Sequence, residues 1–440
     1  MIKKIFRNQH DLWVAINLAT RLGTRIITLG LLVHYLIVEE LAAWYLFAAI
    51  FGLAALAEAG LGRVVTRQVA DRFKASSDCS FSAADLLFLS TIFKSYRYLV
   101  IVVCTVAVVL GLWWFEGHVN VDKVPWLWLS WLFFVIANGA SLYSALYSAV
   151  LNGLGKVSLS QKNESIASLV NLVVFLVVAY FSQSLLAPTV ALMFSVITSL
   201  LLNRYFLHGI AASLRSFNGK VKSNYYKSLL HRIAPETGKY FLMLLAFHLL
   251  TSAFVLLLSH YESSSIVASY GITMQLVTLV LTFSNIWLTS SFPQMAAQRT
   301  SIDKSELKKQ VKSVGVRGLG VLLIGMVVIA TFGNSLLELI ESKVYLLEWD
   351  TLKVILIVIA VEYFFFTLLG QLLVSQSMLR FTYFSTVGSI VIVIVASLLF
   401  ESGYDIGSIF IGRICVFLLF MAAPIVYDVR NIFRGNQQVI

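Results

Sequence analysis

The sequence predicts an all-α integral membrane protein with about twelve transmembrane helices. Three observations support this fold class. Of the 440 residues, 59% are hydrophobic and only 12% are charged, whereas soluble domains contain about 45–50% apolar and about 25% charged residues. Long apolar segments recur along the whole chain, and the basic residues are concentrated in alternate connections between these segments.

The apolar segments define the individual helices. A bilayer core needs about 20 mostly apolar residues for each spanning helix, so polar clusters between such runs mark the helix ends. Twelve segments result: 12–36, 41–61, 97–115, 126–151, 165–182, 185–207, 238–260, 266–292, 316–339, 351–376, 382–400 and 406–427. Most prolines lie at or near segment ends, where the missing N–H costs least: Pro125, Pro188, Pro235 and Pro293.

The Lys and Arg residues predict the orientation. Nearly all of them lie in connections on one side, and only Lys123 and Lys343 lie in the opposite connections. Because basic connections stay in the cytoplasm, we expect both termini to be cytoplasmic. The basic stretch 213–226 is interpreted as a linker that contacts membrane lipid headgroups rather than nucleic acid.

The sequence carries no signature of catalytic chemistry. It has no GxxxxGK[ST] pattern for nucleotide phosphates, no HExxH or paired CxxC pattern for a metal, and no nucleophile beside a base. The connections on the outer side are also too short to form a domain. We therefore predict no catalytic residue, no metal site and no bound cofactor, which argues against an enzyme.

A weak internal repeat divides the chain into halves. The stretches that contain Tyr45 and Tyr270 share one order of aromatic, apolar and small residues, and these two tyrosines are 225 positions apart. Similar stretches contain Lys156 and Arg380, which are 224 positions apart. Duplicated halves are common in membrane transporters. The predicted lobes are residues 1–215, with six helices, and residues 216–440, with six more.

Two stretches resemble a known family. The sequence VASYGITMQLVTLVLTFSNIWLTSSFPQMAAQ, with the linker RTSIDKSELKKQ and the helix VKSVGVRGLGVLL, is similar to the start of the second half of polysaccharide flippases. These flippases belong to the multidrug/oligosaccharidyl-lipid/polysaccharide (MOP) exporter superfamily. The stretch LAEAGLGRVVTRQVA resembles the exit of the second helix in that family, although the family's Asp-Phe-Gly is here Glu58-Ala59-Gly60.

The resemblance implies two six-helix lobes that form a V-shaped central cavity. It implies a flippase of the cell inner membrane that moves a polyprenyl-diphosphate-linked oligosaccharide, an O-antigen or capsule repeat unit, from the cytoplasmic to the outer leaflet by alternating access. The polymerase and chain-length machinery of lipopolysaccharide biosynthesis are then candidate partners. Two alternatives stay open: a multidrug or cation exporter of the same superfamily, and a membrane oligosaccharide polymerase or ligase.

The candidate substrate-binding residues begin on the first segment. Arg21 and Arg25 are four residues apart, and Asn17 lies one turn earlier, so all three share one helix face. Both arginines lie too deep in the membrane for both to reach water along the helix. An arginine fork binds phosphate oxygens by charge-assisted hydrogen bonds, so a diphosphate is a suitable ligand. The alternative is a pair of salt bridges, for example with Glu58 or Glu362.

Further candidates lie at the cytoplasmic end of the second segment. Arg63 and Arg67 again share one helix face and are placed to meet a diphosphate that enters from the inner leaflet. Their alternative role is that of ordinary anchors of topology. Glu58, just before them, is a candidate for ion coupling.

Glu362 and Arg413 are the last candidates. One interpretation is a structural bridge between the tenth and twelfth segments. The other is that Glu362 takes up a proton during transport while Arg413 moves between partners, one of which could be the substrate. Coupling to a proton or sodium gradient is therefore a hypothesis, carried by Glu362 and Glu58.

Overall fold

The computed structural model describes residues 9–58, 60–73, 83–119, 121–207, 223–298, 305–376 and 380–434. Within these ranges the chain forms helices and no strand. Its internal contacts divide it into two compact units, Met1–Phe241 and Leu242–Ile440, which we call the N-unit and the C-unit. The predicted lobe boundary at 215/216 lies outside the described residues.

The N-unit is built from long helices joined by short connections. They are α1 (Gln9–Tyr35), α2 (Val38–Ala55), α3 (Leu61–Phe73), α4 (Ala83–His118), α5 (Leu127–Gly153), α6 (Val157–Ser182), α7 (Leu186–Phe206) and the first part of α8 (Ser223–Tyr261). A short 3-10 turn, Leu56–Glu58, separates α2 from α3. Gly60 follows this turn with a φ of 75°, a left-handed conformation that favours glycine.

An aromatic cluster packs α2, α4 and α5 together. The ring of Trp131, which is buried, lies 4.9 Å from the ring of Phe47 and 5.2 Å from that of Phe115, measured between centroids. Gly111 makes this packing possible, because a Cβ atom there would lie only 2.4 Å from the Trp131 ring. The cluster fixes the position of α5, on which α3 packs.

The described part of the C-unit contains the rest of α8 and eight further helices. They are α9 (Ser264–Ser284), α10 (Ile286–Ala297), α11 (Ser305–Leu339), α12 (Trp349–Glu362), α13 (Gly370–Ser375), α14 (Phe381–Glu401), α15 (Ile406–Phe417) and α16 (Ala423–Arg434). A π-helical segment, Tyr363–Leu369, joins α12 to α13, and a second one, Leu418–Ala422, joins α15 to α16.

The twelve predicted helices are confirmed. Twelve helices among the described residues are long and apolar enough to cross a membrane, and each overlaps one predicted segment. The chain is therefore a multi-pass membrane protein.

Several predicted limits were wrong. The helices α4, α6 and α11 begin at Ala83, Val157 and Ser305, whereas the apolar runs begin at 97, 165 and 316. Lys, Arg, Gln and Glu are good helix formers, so these helices begin several residues before the apolar part of their sequence. The predicted loop 62–96 is accordingly helical over much of its length, where it holds α3 and the first turns of α4.

The helix limits repeat between the units. The start of α3 at Leu61 and the start of α10 at Ile286 are 225 positions apart, and both helices follow a break in the preceding spanning helix. The starts of α6 and α14 differ by 224 positions, and those of α2 and α9 by 226. The repeat offset suggested by scattered sequence similarities therefore recurs in the order and limits of the helices.

Candidate functional site

A polar cluster lies where α1 packs against α6. On α1, the side chains of Asn17, Arg21 and Arg25 recur every four residues and so share one face. On α6, Gln161 and Ser165 are four residues apart, and Glu164 lies beside them. Asn17 is buried, whereas Arg21 and Arg25 are exposed. The site therefore has a fixed end at Asn17 and an accessible end at the two arginines.

Asn17 is held by three side chains of α6. Its amide nitrogen donates to the Gln161 side-chain oxygen and, at 3.2 Å, to Glu164 Oε2. Ser165 Oγ donates to Asn17 Oδ1 at 3.3 Å. The amide therefore uses both its donor and its acceptor groups inside the protein, and it orients the Glu164 carboxylate.

Arg21 forms a loose ion pair with the same carboxylate. Arg21 Nη1 lies 3.5 Å from Glu164 Oε2, and the two side chains are 48% and 31% exposed. Arg25 has no ion-pair partner among the described residues, and it lies one turn from Arg21 on the same face of α1. Within the N-unit neither guanidinium is enclosed by protein, and the depth of both arginines in the membrane stays a prediction.

The salt-bridge partners named from the sequence also need correction. Arg21 pairs with Glu164, not with Glu58 or Glu362. Glu58 instead caps α3, where its Oε1 accepts hydrogen bonds from the backbone N–H of Gly62 at 3.2 Å and from the hydroxyl of Tyr96 at 2.7 Å. This carboxylate secures the break between α2 and α3, and a coupling role for Glu58 stays a prediction.

The two arginines of α3 lie just beyond this cap. Arg67 is exposed on the helix surface, while the side chain of Arg63 lies outside the described part of the structure. α3 is docked on α5 through Thr66, whose hydroxyl donates to the carbonyl oxygen of Ala149 at 3.1 Å. The docking fixes the position of the helix that carries Arg67, and contact of either arginine with cargo stays a prediction.

The C-unit contains a buried ion pair between α12 and α15. Arg413 Nε donates to Glu362 Oε1 at 2.7 Å, and Arg413 Nη2 donates to Glu362 Oε2 at 2.6 Å. The two side chains are only 1% and 11% exposed. The guanidinium also lies 4.6 Å from the ring centroid of Phe254 and 5.1 Å from that of Phe410, in the geometry of cation–π contacts.

Local features of both helices position this pair. Glu362 is the last residue of α12, directly before the π-helical segment. α15 begins with a cap in which Asp405 accepts a hydrogen bond from the backbone N–H of Ser408 at 3.2 Å. The Ser408 hydrogen bonds hold the pKa of the Asp405 carboxyl below its ordinary value. The pairing is the one suggested by the sequence, whereas proton uptake by Glu362 and cargo contact by Arg413 stay predictions.

Three residues of the N-unit cluster were missed from the sequence: Gln161, Glu164 and Ser165. The fifth segment was predicted to begin at 165, which placed the first two residues in a loop. Because α6 begins at Val157, they lie inside the helix. Their spacing on one helix face, continued by Ser168, is the signal that could have identified them.

The described residues contain no group of three or more His, Cys, Asp or Glu side chains that could hold a metal ion. The groups of the N-unit cluster are two guanidiniums, one carboxylate, two amides and a hydroxyl. Such a set can bind an anion and hydrogen-bond to neutral polar groups.

The fold is similar to that of solved membrane transporters. The similar structures include a multidrug transporter of the MOP superfamily and a lipid II flippase. No family model matches the sequence, and no curated protein matches it significantly. The similarity is therefore one of structure.

Three solved structures illustrate it. An inward-facing multidrug resistance MATE family transporter of the MOP superfamily has a TM-score of 0.70 and 14% identity, with 97% of this chain and 99% of that chain covered. The lipid II flippase MurJ, in an inward closed conformation, has a TM-score of 0.65 and 11% identity, with coverage of 96% and 87%. The Vibrio cholerae MATE transporter VcmN, in its bent form, has a TM-score of 0.56 and 14% identity, with coverage of 97% for both chains.

Proposed function

We propose that the protein is a flippase for a polyprenyl-diphosphate-linked oligosaccharide, an O-antigen or capsule repeat unit. It moves this lipid from the cytoplasmic to the outer leaflet of the cell inner membrane by alternating access, with both of its termini in the cytoplasm. The polymerase and chain-length machinery of the same pathway are the proposed downstream partners. The fold supports a transporter or flippase, and the charge of the N-unit cluster supports an anionic cargo.

Accessible arginines inside a membrane span are the observation that carries this proposal. Arg21 and Arg25 lie in the span Ile16–Tyr35, where a charged side chain near the bilayer centre costs ~2.5–3.5 kcal/mol on insertion scales. One long, exposed ion pair offsets little of this cost. A diphosphate that accepts bidentate hydrogen bonds from both guanidinium groups balances their charge and uses their donors. Between transport cycles, water accepts these hydrogen bonds.

A multidrug exporter of the same superfamily is the second candidate. It is favoured by the structural match to a MATE transporter, which has a higher TM-score than the match to MurJ. A cationic drug would meet repulsion from Arg21 and Arg25, and Glu164 is already paired. No observation favours a polymerase or ligase, because the similar solved structures described above are transporters and a flippase.

The gradient that drives transport is a separate part of the proposal. Glu362 already has an internal cation in Arg413, so we assign this pair a structural role in the C-unit. Coupling through Glu58 is proposed with less weight, because its carboxylate caps α3.

A genetic experiment tests the proposed cargo. We expect Arg21→Ala combined with Arg25→Ala to abolish surface polysaccharide in the native host, because the diphosphate loses both forks, while the amount of protein in the membrane is unchanged. Glu116→Gln, an exposed change on α4 in the same unit, serves as the control and should leave the polymer intact. Wild-type polymer in the double variant, together with decreased sensitivity to cationic drugs because the repulsion is removed, would favour the multidrug exporter.

A further inference from the structure

The side chain that pairs with Arg21 has no place in the function proposed so far. Glu164 lies in the span formed by α6 (Val157–Ser182). A carboxylate next to an anion site weakens that site, because it repels the ligand and competes for the guanidinium. Its presence therefore needs an explanation beyond cargo binding alone.

Packing alone does not require this carboxylate. The residues 225 positions after Asn17 and Gln161 are Leu242 and Thr386, and the hydroxyl of Thr386 donates to the carbonyl oxygen of Leu242 at 3.0 Å. The same helix crossing therefore occurs in the C-unit. There, the positions that correspond to Arg21 and Glu164 hold Ala246 and Ser389, both of them buried. The crossing forms without an ion pair, so the charges in the N-unit have another role.

The contacts of Glu164 keep its carboxylate in place without Arg21. Asn17, which is only 2% exposed, donates to Glu164 Oε2 and is itself held by Gln161 and Ser165. Arg21, in contrast, is half-exposed and touches Glu164 only at 3.5 Å. The carboxylate is thus the fixed member of the pair, and the guanidinium is the member that can move.

The charges near the carboxylate match one kind of ligand. Arg21 faces it directly and Arg25 lies one turn further along α1. Lys162, its neighbour on α6, is directed to the ring of Trp13, 5.5 Å from the centroid. When Glu164 holds Arg21, one guanidinium charge is left uncompensated. When it releases Arg21, two guanidinium charges face the ligand, which equals the charge of a diphosphate diester.

We propose that Glu164 is an exchangeable counter-ion for the cargo site. In the cargo-free N-unit it holds Arg21, and an entering diphosphate takes Arg21 from it by forming bidentate hydrogen bonds. On release, Glu164 recaptures the guanidinium and so lowers the affinity for the departing cargo. This inference rests on the proposed function, because it assumes that Arg21 and Arg25 bind a diphosphate.

Binding of a soluble prenyl diphosphate tests the exchange. Farnesyl diphosphate is titrated into the full-length protein in nanodiscs by calorimetry. We expect Glu164→Gln to tighten the dissociation constant by about 1.5- to 5-fold, since exposed ion pairs contribute about 0.2–1 kcal/mol. The gain should be smaller in the Arg21→Ala background, because the carboxylate then has no guanidinium to compete for and only its repulsion of the ligand is removed. Glu116→Gln is the matched control for loss of one negative charge, and its affinity should equal that of the wild type.

Three outcomes separate the exchange from the proposed function. Equal or weaker binding by Glu164→Gln, or an equal gain with Arg21 removed, overturns the exchange alone. Wild-type binding that does not depend on Arg21 and Arg25 overturns the proposed function. If the Gln variant does not fold, Glu164→Asp replaces it, because the shorter side chain draws the carboxylate back from Arg21. The affinity for farnesyl diphosphate should then rise by about 1.5-fold. An unchanged affinity of this variant also overturns the exchange.

Discussion

Arg21 and Arg413 show how differently one residue type is used in this protein. Arg413 is buried, makes two short hydrogen bonds to one carboxylate and lies against two aromatic rings. Arg21 is half-exposed and makes one long contact. The Arg413 guanidinium is enclosed by protein and committed to one carboxylate, whereas the loosely held guanidinium of Arg21 can be reached by a ligand. The residues that bind cargo are therefore expected among the accessible arginines.

The buried pair leads to a prediction about stability. Removing one partner by Arg413→Ala leaves Glu362 buried without a cation, so the free energy of unfolding should fall by about 3–5 kcal/mol. Replacing both partners, by Glu362→Leu with Arg413→Met, should cost much less, because no buried charge then remains unpaired. Thermal unfolding in detergent measures both effects.

Transport by the double variant decides the role of the pair. A stable Leu/Met variant that still transports cargo supports a structural role. A stable variant that has lost transport under an imposed proton or sodium gradient would restore Glu362 as a coupling residue. The single change Glu362→Gln provides the control for charge, since its side chain keeps the shape of the carboxylate.

At the scale of elements, α3 is the helix that the proposed function places at the entry of the cargo. It carries Arg63 and Arg67, follows the left-handed Gly60 and is capped by Glu58. It packs so closely on α5 that a Cβ atom at Gly153 would lie 2.7 Å from the backbone oxygen of Thr66. The docking of α3 therefore depends on a residue that has no side chain.

We predict that Gly153→Ala destabilises the protein by about 1–3 kcal/mol through this overpacking. The contact is with backbone, which cannot rotate away. Gly117→Ala on α4 is the matched control, since a Cβ atom there would meet nothing within 4 Å and alanine is a better helix former than glycine. The melting temperatures of both variants in detergent, measured side by side, check the prediction; an unchanged value for Gly153→Ala would contradict the close docking.

The same elements show how far sequence reasoning extends. Apolar runs located all twelve helices because burial in lipid requires them. They did not locate the polar turns at the start of α6, since a hydropathy criterion ends a helix where charge begins. Glu164 lies in those turns, and its contact with Arg21 depends on how two distant helices cross. The helix face of Asn17, Arg21 and Arg25 was predictable from spacing, whereas their partners and their exposure were not.

At the scale of the whole molecule, a duplicated helix order carries different charges in its two units. In the N-unit, Arg21 and Glu164 form an ion pair where α1 crosses α6, and the matching positions of the C-unit hold Ala246 and Ser389. The C-unit has a buried ion pair between α12 and α15, and the positions 225 residues before Glu362 and Arg413 hold Ala137 and Pro188. The units thus share a fold while accessible cations occur at this crossing in the N-unit alone, which supports anion binding there.

The central claim is that the protein moves an anionic lipid across the membrane and binds its diphosphate through these accessible arginines. The most direct test reconstitutes the protein in proteoliposomes with a polyprenyl-diphosphate-linked oligosaccharide and follows the saccharide as it becomes accessible to a lectin on the opposite side. We predict rapid transfer by the wild type and an intermediate rate for Arg21→Lys with Arg25→Lys, which keeps charge but loses the forks. Transfer should be lost in the double alanine variant. Equal transfer by all three proteins, or movement of a cationic dye but not of the lipid, would contradict the claim.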